Sequence, residues 1–331
     1  MPIKEEFKLQ WQFGQVPQRW RKYQAPKTAV DLAQRQWILS GDSESEFEEF
    51  TRWIISQQIP TIYLEGYTQL VHQSENLPWP KNPKLICTSY SRDDVLKIWI
   101  AEKVENGSPL VLNQYGGHNG LGRWSFVEDH EIAICDRYLS WGWGNPNQPK
   151  IKPIGQFKLK APLNVNHAKQ DGMLLVSNLV PRYSYFMYSI TVSRQWLDYF
   201  DDQCEFVNHL PDDVRKALTV RLYPKDYGWN QMDRWKDQFP DLHIDSGKKN
   251  INGLIAKSKL YISTYNATTF LESFSMNVPT IIYWNPSHWE LRDSAIPYFE
   301  MLKQVGIFHD SPESAASHVA KIWDNVDAWW N

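Results

Sequence analysis

The sequence contains no long run of apolar residues, and this lack limits where the protein can act. No segment reaches the ~18 to 20 consecutive apolar residues that a membrane-spanning helix needs. Residues 1–10 include Lys4, Glu5, Glu6 and Lys8 and lack the apolar centre of a signal peptide. We therefore expect a cytoplasmic protein with at most peripheral contact with the inner membrane.

The chain also has few cysteines and a small net charge. The chain of 331 residues contains 3 cysteines, Cys87, Cys135 and Cys204, and their spacing fits no metal site. We expect free thiols in a reducing compartment. The formal net charge is −3, so the sequence gives no sign of the basic surface with which proteins bind nucleic acid.

Several motifs of cofactor and metal enzymes are missing. No strand leads into GxGxxG, which disfavours a nicotinamide dehydrogenase, and no HExxH suggests a zinc peptidase. No convincing DxD motif is present either, because Asp93-Asp94 and Asp201-Asp202 are better interpreted as helix-start and surface acids. We expect no metal ion and no cofactor.

Aromatic residues, in contrast, are abundant. They make up 14% of the chain and include 17 tryptophans. Tryptophan rings stack on the C–H faces of sugars, although most of these residues are expected in the core.

Short apolar strands alternate with amphipathic helices in both halves of the chain. Ser45 and Glu48 form a capping box that predicts a helix over 45–58, and Ser91 is a plausible N-cap for a second helix through Glu102. The other predicted segments are strands at 61–64, 84–88, 109–113, 173–177, 218–223, 242–245, 259–264 and 279–284, and helices at 193–209, 231–238, 251–256, 268–276 and 311–330. This alternation is typical of parallel βαβ units and predicts the α/β class.

The length predicts two domains, at ~100 to 200 residues per domain. Residues 144–170 break the pattern with proline, asparagine and lysine and predict an interdomain link. We expect an N-terminal extension at 1–30 and two Rossmann-like domains at 31–148 and 149–331 that face each other across a cleft. The last helix either stays in the second domain or returns to the first.

A glycine-rich loop follows the predicted strand 109–113. The residues of interest are Gln114, Tyr115, Gly116, Gly117, His118 and Asn119. The loop amides could bind a phosphate or a sugar, and His118 could act as a base or a donor. The alternative is an ordinary structural turn between a strand and a helix.

Two acids follow this loop closely. In a helix Glu128 and Glu131 would share a face, and one of them could deprotonate an acceptor hydroxyl. The alternative is that both acids only favour the positive end of the helix.

Polar residues also follow two predicted strands of the second half. Asn266, Thr268, Thr269 and Glu272 surround a helix start, which is a natural phosphate site, with ordinary N-capping by Asn266 or Thr268 as the alternative. Arg221 and Tyr223 end another strand, and Arg221 could reach the same phosphate or form an ion pair. The loop 284–292 could line the cleft or be a plain surface turn.

Several ordered motifs together resemble a known family. They are the glycine loop, Glu128-Asp129-His130-Glu131, Asp136-Arg137-Tyr138 leading to Trp141-Gly142-Trp143, and residues 264–272. They resemble GT-B-like transferases of bacterial O-antigen and capsule loci, related to transferases of ulosonic sugars such as pseudaminic acid, whose donors are CMP-linked. Tyr115 stands where that family commonly has a histidine, and the first domain is shorter than usual, as in a truncated form.

The resemblance implies a metal-independent, inverting glycosyltransferase of lipopolysaccharide or capsule biosynthesis. A nucleotide-sugar would be the donor and a glycan or lipid-linked glycan the acceptor. The first domain would supply the base, from among Glu128, Glu131 and His118, and residues 266–272 would hold the nucleotide. Two alternatives are a CDP-polyol phosphotransferase of the teichoic-acid type and a non-catalytic scaffold or sugar-binding subunit.

Overall fold

The computed structural model describes residues 3–17, 21–89, 93–156, 170–184 and 188–331. The chain divides into two compact units. The first unit comprises Met1–Asn113 and Ile134–Arg137, and the second comprises Gln114–Ala133 and Tyr138–Asn331. The glycine loop therefore belongs to the second unit, and the domain boundary expected between residues 148 and 149 lies inside that unit.

The first unit is mainly helical, with a short pair of parallel strands. Its elements are α1 (Ile3–Gln12), α2 (Glu46–Gln58), α3 (Tyr67–Glu75), β1 (Ile86–Thr88), α4 (Asp94–Glu105) and β2 (Leu110–Asn113). β1 and β2 pair with Ile86 opposite Leu110. Leu70, Leu77 and Val95 form its buried cluster, because α3 and α4 each place apolar residues on one face.

Helix starts in this unit depend on local capping. The predicted cap of α2 is confirmed, since the Ser45 hydroxyl accepts a hydrogen bond from the backbone N–H of Glu48. The cap of α4 is Asp93, whose carboxylate accepts from the N–H of Leu96, while Ser91 lies outside the described residues.

The strand predicted at 61–64 is wrong. Thr61–Tyr63 forms a 3₁₀ turn after Pro60, closed by a 2.8 Å hydrogen bond from Gly66 N to Thr61 O. The Tyr63 hydroxyl also donates to Asp94 at 2.5 Å. These contacts satisfy the segment locally, so it does not need a neighbouring strand.

The second unit contains the larger sheet and most of the predicted site. Its strands are β3 (Arg137–Ser140, beginning one residue inside the first unit), β4 (Ile151–Pro153), β5 (Met173–Val176), β6 (Leu218–Arg221), β7 (His243–Asp245), β8 (Leu260–Ser263), β9 (Thr280–Tyr283) and β10 (Phe308–His309). Its helices are α5 (Phe126–Ile134), α6 (Gln195–Asn208), α7 (Asp212–Arg215), α8 (Gln231–Gln238), α9 (Ile251–Ile255), α10 (Thr268–Ser275), α11 (Ile296–Gln304), α12 (Pro312–Ile322) and α13 (Val326–Trp330).

Six of these strands form one parallel sheet in the order β10-β9-β8-β5-β6-β7. Every residue of β5, β8 and β9 is buried, as expected for a parallel sheet covered on both faces. Aromatic side chains fill the two covering layers, including Trp196 and Trp235 in one and Phe270 and Trp284 in the other. The predicted α/β class with parallel sheets is confirmed.

Two smaller points complete the fold. β4, which pairs in parallel with β3, lies within the predicted link 144–170 and was not expected from the sequence. Across the described ranges, no helix combines the length and apolar character needed to cross a bilayer.

Candidate functional site

The glycine loop, residues 114–122, is held in shape by the carboxamide of Gln114. Its Nε2 donates to the carbonyls of Gly116 at 2.8 Å and Asn119 at 2.9 Å. Its Oε1 accepts from the backbone N–H of Trp141 and the indole Nε1 of Trp143, both at 2.8 Å. All hydrogen-bonding positions of Gln114 are thus used within the protein. Gln114 therefore shapes the loop, and its carboxamide is not free to bind an acceptor substrate.

The loop lies directly on the start of α10. The backbone N–H of Gly117 donates to Thr268 Oγ1 at 3.0 Å. A Cβ atom at Gly117 would lie 2.7 Å from the carbonyl oxygen of Ala267 and 2.9 Å from a methyl carbon of Leu271, so only glycine fits here. The structure therefore brings together the predicted acceptor loop and the predicted nucleotide site.

Among the described residues, no side chain caps the first turn of α10. Its N-cap is Ala267, and the capping by Asn266 or Thr268 considered as the alternative is not observed. The Thr269 hydroxyl accepts from Tyr261 at 2.8 Å and donates to Tyr265 at 3.2 Å. Without a capping side chain from the described residues, the amide groups at the start of α10 can donate to another partner, at the positive end of the helix.

Glu128 is a buried anchor between two loops. It is 1% exposed; one carboxylate oxygen accepts from Gly120 N at 2.7 Å and the other from Arg292 Nη2 at 2.6 Å. Burial raises the pKa of the Glu128 carboxyl, and the charge of Arg292 offsets part of that effect. With both oxygens engaged, Glu128 is poorly placed to accept a proton from a substrate.

Arg292 completes this arrangement. Its Nε and Nη2 both donate to the carbonyl of Gly122 at 3.2 Å, and its guanidinium lies 5.4 Å from the ring centroid of Trp143. Backbone hydrogen bonds join the same segments, from Arg292 N to Leu121 O and from Arg123 N to Glu290 O. The loop after β9 is thereby fixed to the glycine loop.

His118 lies on the partly exposed side of the glycine loop. Its Nε2 is 3.4 Å from the carbonyl of Trp124, and its ring meets Tyr188 edge to face at 5.8 Å. Burial lowers the pKa of His118, with a smaller opposing effect from the carbonyls of Trp124 and Asn266. The imidazole is therefore neutral near pH 7, which is the form that can accept a proton.

Asn119 and Asn266 are both buried but differ in their partners. Asn119 Nδ2 donates to the hydroxyl of Tyr138 at 3.1 Å. Asn266 is 1% exposed, and neither its Oδ1 nor its Nδ2 has a hydrogen-bond partner among the described residues. Glu131 is also buried, whereas Tyr115 and Glu272 are half-buried.

Arg221 binds a carboxylate of its own sheet. Its Nη1 donates to Asp245 Oδ1 at 2.7 Å, and its Nη2 donates to the carbonyls of Gly247 and Lys249, both at 2.7 Å. These contacts realise the ion-pair alternative, but as a buried pair that joins β6 to the residues after β7. The ring of Tyr223 is stacked on that of Tyr227, with the centroids 6.0 Å apart.

The sequence reasoning missed the roles of Arg292 and Trp143. The sequence marks the loop 284–292 as one that could line a cleft, but the carboxylate partner of Arg292 lies 164 positions away along the chain. No local sequence pattern can indicate a partner so far away along the chain. Within the described ranges no group of three or more histidine, cysteine, aspartate or glutamate residues is placed to hold a metal ion.

Comparison with known proteins gives a family and several distant structural likenesses. The model of a family described as "LIC12162 family transferase" matches residues 1–331. No curated protein matches the sequence.

Similar solved structures include a protein assigned as a UDP-N-acetylglucosamine 2-epimerase from Listeria monocytogenes. That similarity has a TM-score of 0.49 at 11% identity and covers 79% of this chain and 71% of the other. The wall teichoic acid polymerase TagF gives 0.38 at 12% identity, covering 75% and 66%. WaaG, a glycosyltransferase involved in lipopolysaccharide biosynthesis, gives 0.38 at 12% identity, covering 88% and 79%. TM-scores below 0.5 do not establish a shared fold.

Proposed function

The chain belongs to the LIC12162 family of transferases, and from this premise we propose that it is a glycosyltransferase with a nucleotide-sugar donor and a glycan or lipid-linked glycan acceptor. Family membership confirms the predicted transferase class. The donor, the acceptor and the GT-B arrangement of the domains are part of the proposal.

The observation that carries the proposal is the junction of the glycine loop with α10. Uncapped amides at a helix start bind phosphate groups well, because they donate hydrogen bonds and lie at the positive end of the helix. Here they adjoin Gly117 and the hydroxyl of Thr268. This junction suits the phosphate that links a nucleotide to a sugar.

The proposed chemistry is a single displacement that inverts the anomeric carbon. An acceptor hydroxyl attacks that carbon, its proton passes to a base, and the bond from the carbon to the phosphate oxygen breaks. His118 is the best-placed base, since its pKa is lowered by burial and both oxygens of Glu128 are engaged. The α10 amides and Thr268 would stabilise the charge on the leaving phosphate without a metal ion.

The identity of the donor is a finer proposal. The sequence motifs resemble those of transferases for CMP-linked ulosonic acids such as pseudaminic acid, found in O-antigen and capsule loci. We propose that class of donor on the basis of this resemblance. A teichoic-type phosphotransferase would use a CDP-linked donor instead, so the two are separable by nucleotide binding.

Calorimetric titration with CMP, CDP, UDP and GDP, without metal and then with magnesium, tests the proposal. Metal-independent CMP binding is the expected result. Preference for CDP would favour the phosphotransferase. A chain that binds none of the four nucleotides would contradict the transferase site and favour the scaffold.

Two variants of Ala267 locate the phosphate. Aspartate and asparagine have the same size, and both can cap the α10 amides, but only aspartate adds a negative charge. We expect Ala267→Asp to weaken nucleotide binding by about tenfold or more relative to Ala267→Asn, which corresponds to ~1.4 kcal/mol. Thr51→Val, on the surface of α2, is the control. Equal affinities of the two Ala267 variants would place the phosphate elsewhere.

A further inference from the structure

Asn266 occupies an unusual position among the buried polar residues of the second unit. It is 1% exposed, and both polar atoms of its carboxamide are buried without a hydrogen-bond partner in the described part of the chain. Most buried side-chain polar atoms in proteins have such a partner, and leaving one unpaired reduces stability. A residue that only served the fold would be expected to pair, as Asn119 does with Tyr138.

The location of Asn266 links it to the proposed site. It immediately precedes Ala267, the uncapped N-cap of α10, and its carbonyl is one of the groups that affect the pKa of His118. The contact between Gly117 and Ala267 lies one residue further along the chain. Asn266 is thus placed where the base, the glycine loop and the helix start converge.

We propose that Asn266 is a ligand-binding residue that determines specificity, and that its carboxamide pairs with a hydrogen-bond donor and an adjacent acceptor on the nucleotide. This inference rests on the proposed function. A carboxamide offers donors on Nδ2 and an acceptor on Oδ1. An ionised phosphate only accepts hydrogen bonds, so it would leave Oδ1 unpaired.

Two parts of a nucleotide have the required chemistry: the neighbouring hydroxyls of the ribose, and the edge of a pyrimidine base where a donor lies beside an acceptor. Because Asn266 is 1% exposed, the ligand reaches its carboxamide only after covering residues move aside. Asn266 itself gives up no hydrogen bond within the described residues, so the hydrogen bonds that it forms with the ligand offset the cost of this movement.

The test combines thermal unfolding with calorimetry on the full chain. Asn266→Leu removes the polar atoms but keeps a similar volume, so we expect Tm to rise by about 2–4 °C while CMP affinity falls about tenfold or more. The matched control is Asn119→Leu, which breaks an existing hydrogen bond and should lower Tm. Asn266→Ala is a second variant with the same expected loss of affinity, should leucine not fit.

Two further ligands distinguish the ribose from the base. If the ribose hydroxyls are bound, wild-type protein prefers CMP to its dideoxy form, and Asn266→Leu abolishes that preference. If the base edge is bound, the variant loses affinity for CMP but not for ribose phosphate. A fall in Tm like that of Asn119→Leu, or wild-type CMP affinity in Asn266→Leu, would overturn the inference. Failure of the wild-type protein to bind any nucleotide would instead overturn the proposed function.

Discussion

The ion pair between Glu128 and Arg292 should be a main determinant of stability in the second unit. Replacing Arg292 by methionine keeps the packing of its stem. The buried Glu128 carboxylate then keeps Gly120 N as its one hydrogen-bond donor among the described residues. Breaking a buried pair in this way costs about 3–5 kcal/mol. Because Arg292 is 23% exposed, we expect the lower end, about 3 kcal/mol near pH 7.

The effect should depend on pH in a definite direction. Burial raises the folded pKa of Glu128 above the ordinary pKa of a glutamate carboxyl. Its contribution to stability is therefore fully present below that ordinary pKa and is lost as pH rises through the folded pKa. Removing the Arg292 charge raises the folded pKa further. The destabilisation by Arg292→Met should therefore be small at acid pH and grow toward neutrality.

Denaturant unfolding followed by circular dichroism measures both the cost of Arg292→Met and its dependence on pH. The double variant Glu128→Gln/Arg292→Met completes a cycle, with an expected coupling energy of about 2–3 kcal/mol at pH 7. Arg215→Met, which breaks the exposed pair with Asp212, is the control and should change stability by less than about 0.5 kcal/mol. A coupling energy below about 0.5 kcal/mol, or a cost of Arg292→Met independent of pH, would refute the reasoning.

Two further predictions concern the glycine loop. Gly117→Ala should destabilise the second unit by about 1–3 kcal/mol and weaken nucleotide binding, because its Cβ would meet the Ala267 carbonyl at 2.7 Å. Denaturant unfolding measures the loss of stability. The control is Gly253→Ala in α9, where there is space for a methyl group. His118→Gln should lower kcat/KM by about 10²–10⁴. In the wild-type protein, kcat/KM should fall as pH drops through the lowered pKa of His118, and survival of that acid limb in His118→Gln would assign the base elsewhere.

The sequence predicted the second half of the fold well because its signals are local. The helix expected at 231–238 has those bounds, and all five strands expected after residue 170 are present. β5, β8 and β9 are short, mainly apolar runs with clear breaks, buried by the layers on both faces of the sheet. β6 and the edge strand β7 are partly exposed. The failure at Thr61–Tyr63 has the opposite cause, since apolar composition alone does not show whether a neighbouring strand exists.

The site was predictable only where its chemistry is local. Glycine spacing and a hydroxyl-rich helix start marked the residues that meet at Gly117 and Thr268. Whether a polar side chain is free or already bound depends on distant partners. Gln114 is engaged by Trp141 and Trp143, and Asn266 lacks any partner in the described ranges, yet both appear in the sequence as similar carboxamides.

Contacts with distant partners also determine which groups of the second unit can hold the donor phosphate. Three cations of the second unit that could have served are already engaged: Arg221 with Asp245, Arg292 with Glu128, and Lys225 above the ring of Tyr227 at 4.6 Å. Reusing Arg292 would remove the charged partner of the buried Glu128 carboxylate, at a cost of several kcal/mol. Reusing Arg221 would leave Asp245 with Lys249 at 3.8 Å as its neighbouring cation. The amides at the start of α10, in contrast, have no capping side chain in the described part of the chain. A helix start carries only about half a positive charge. That charge suits one phosphate better than two. Since CMP has one phosphate and CDP, UDP and GDP have two, CMP is the first nucleotide to titrate.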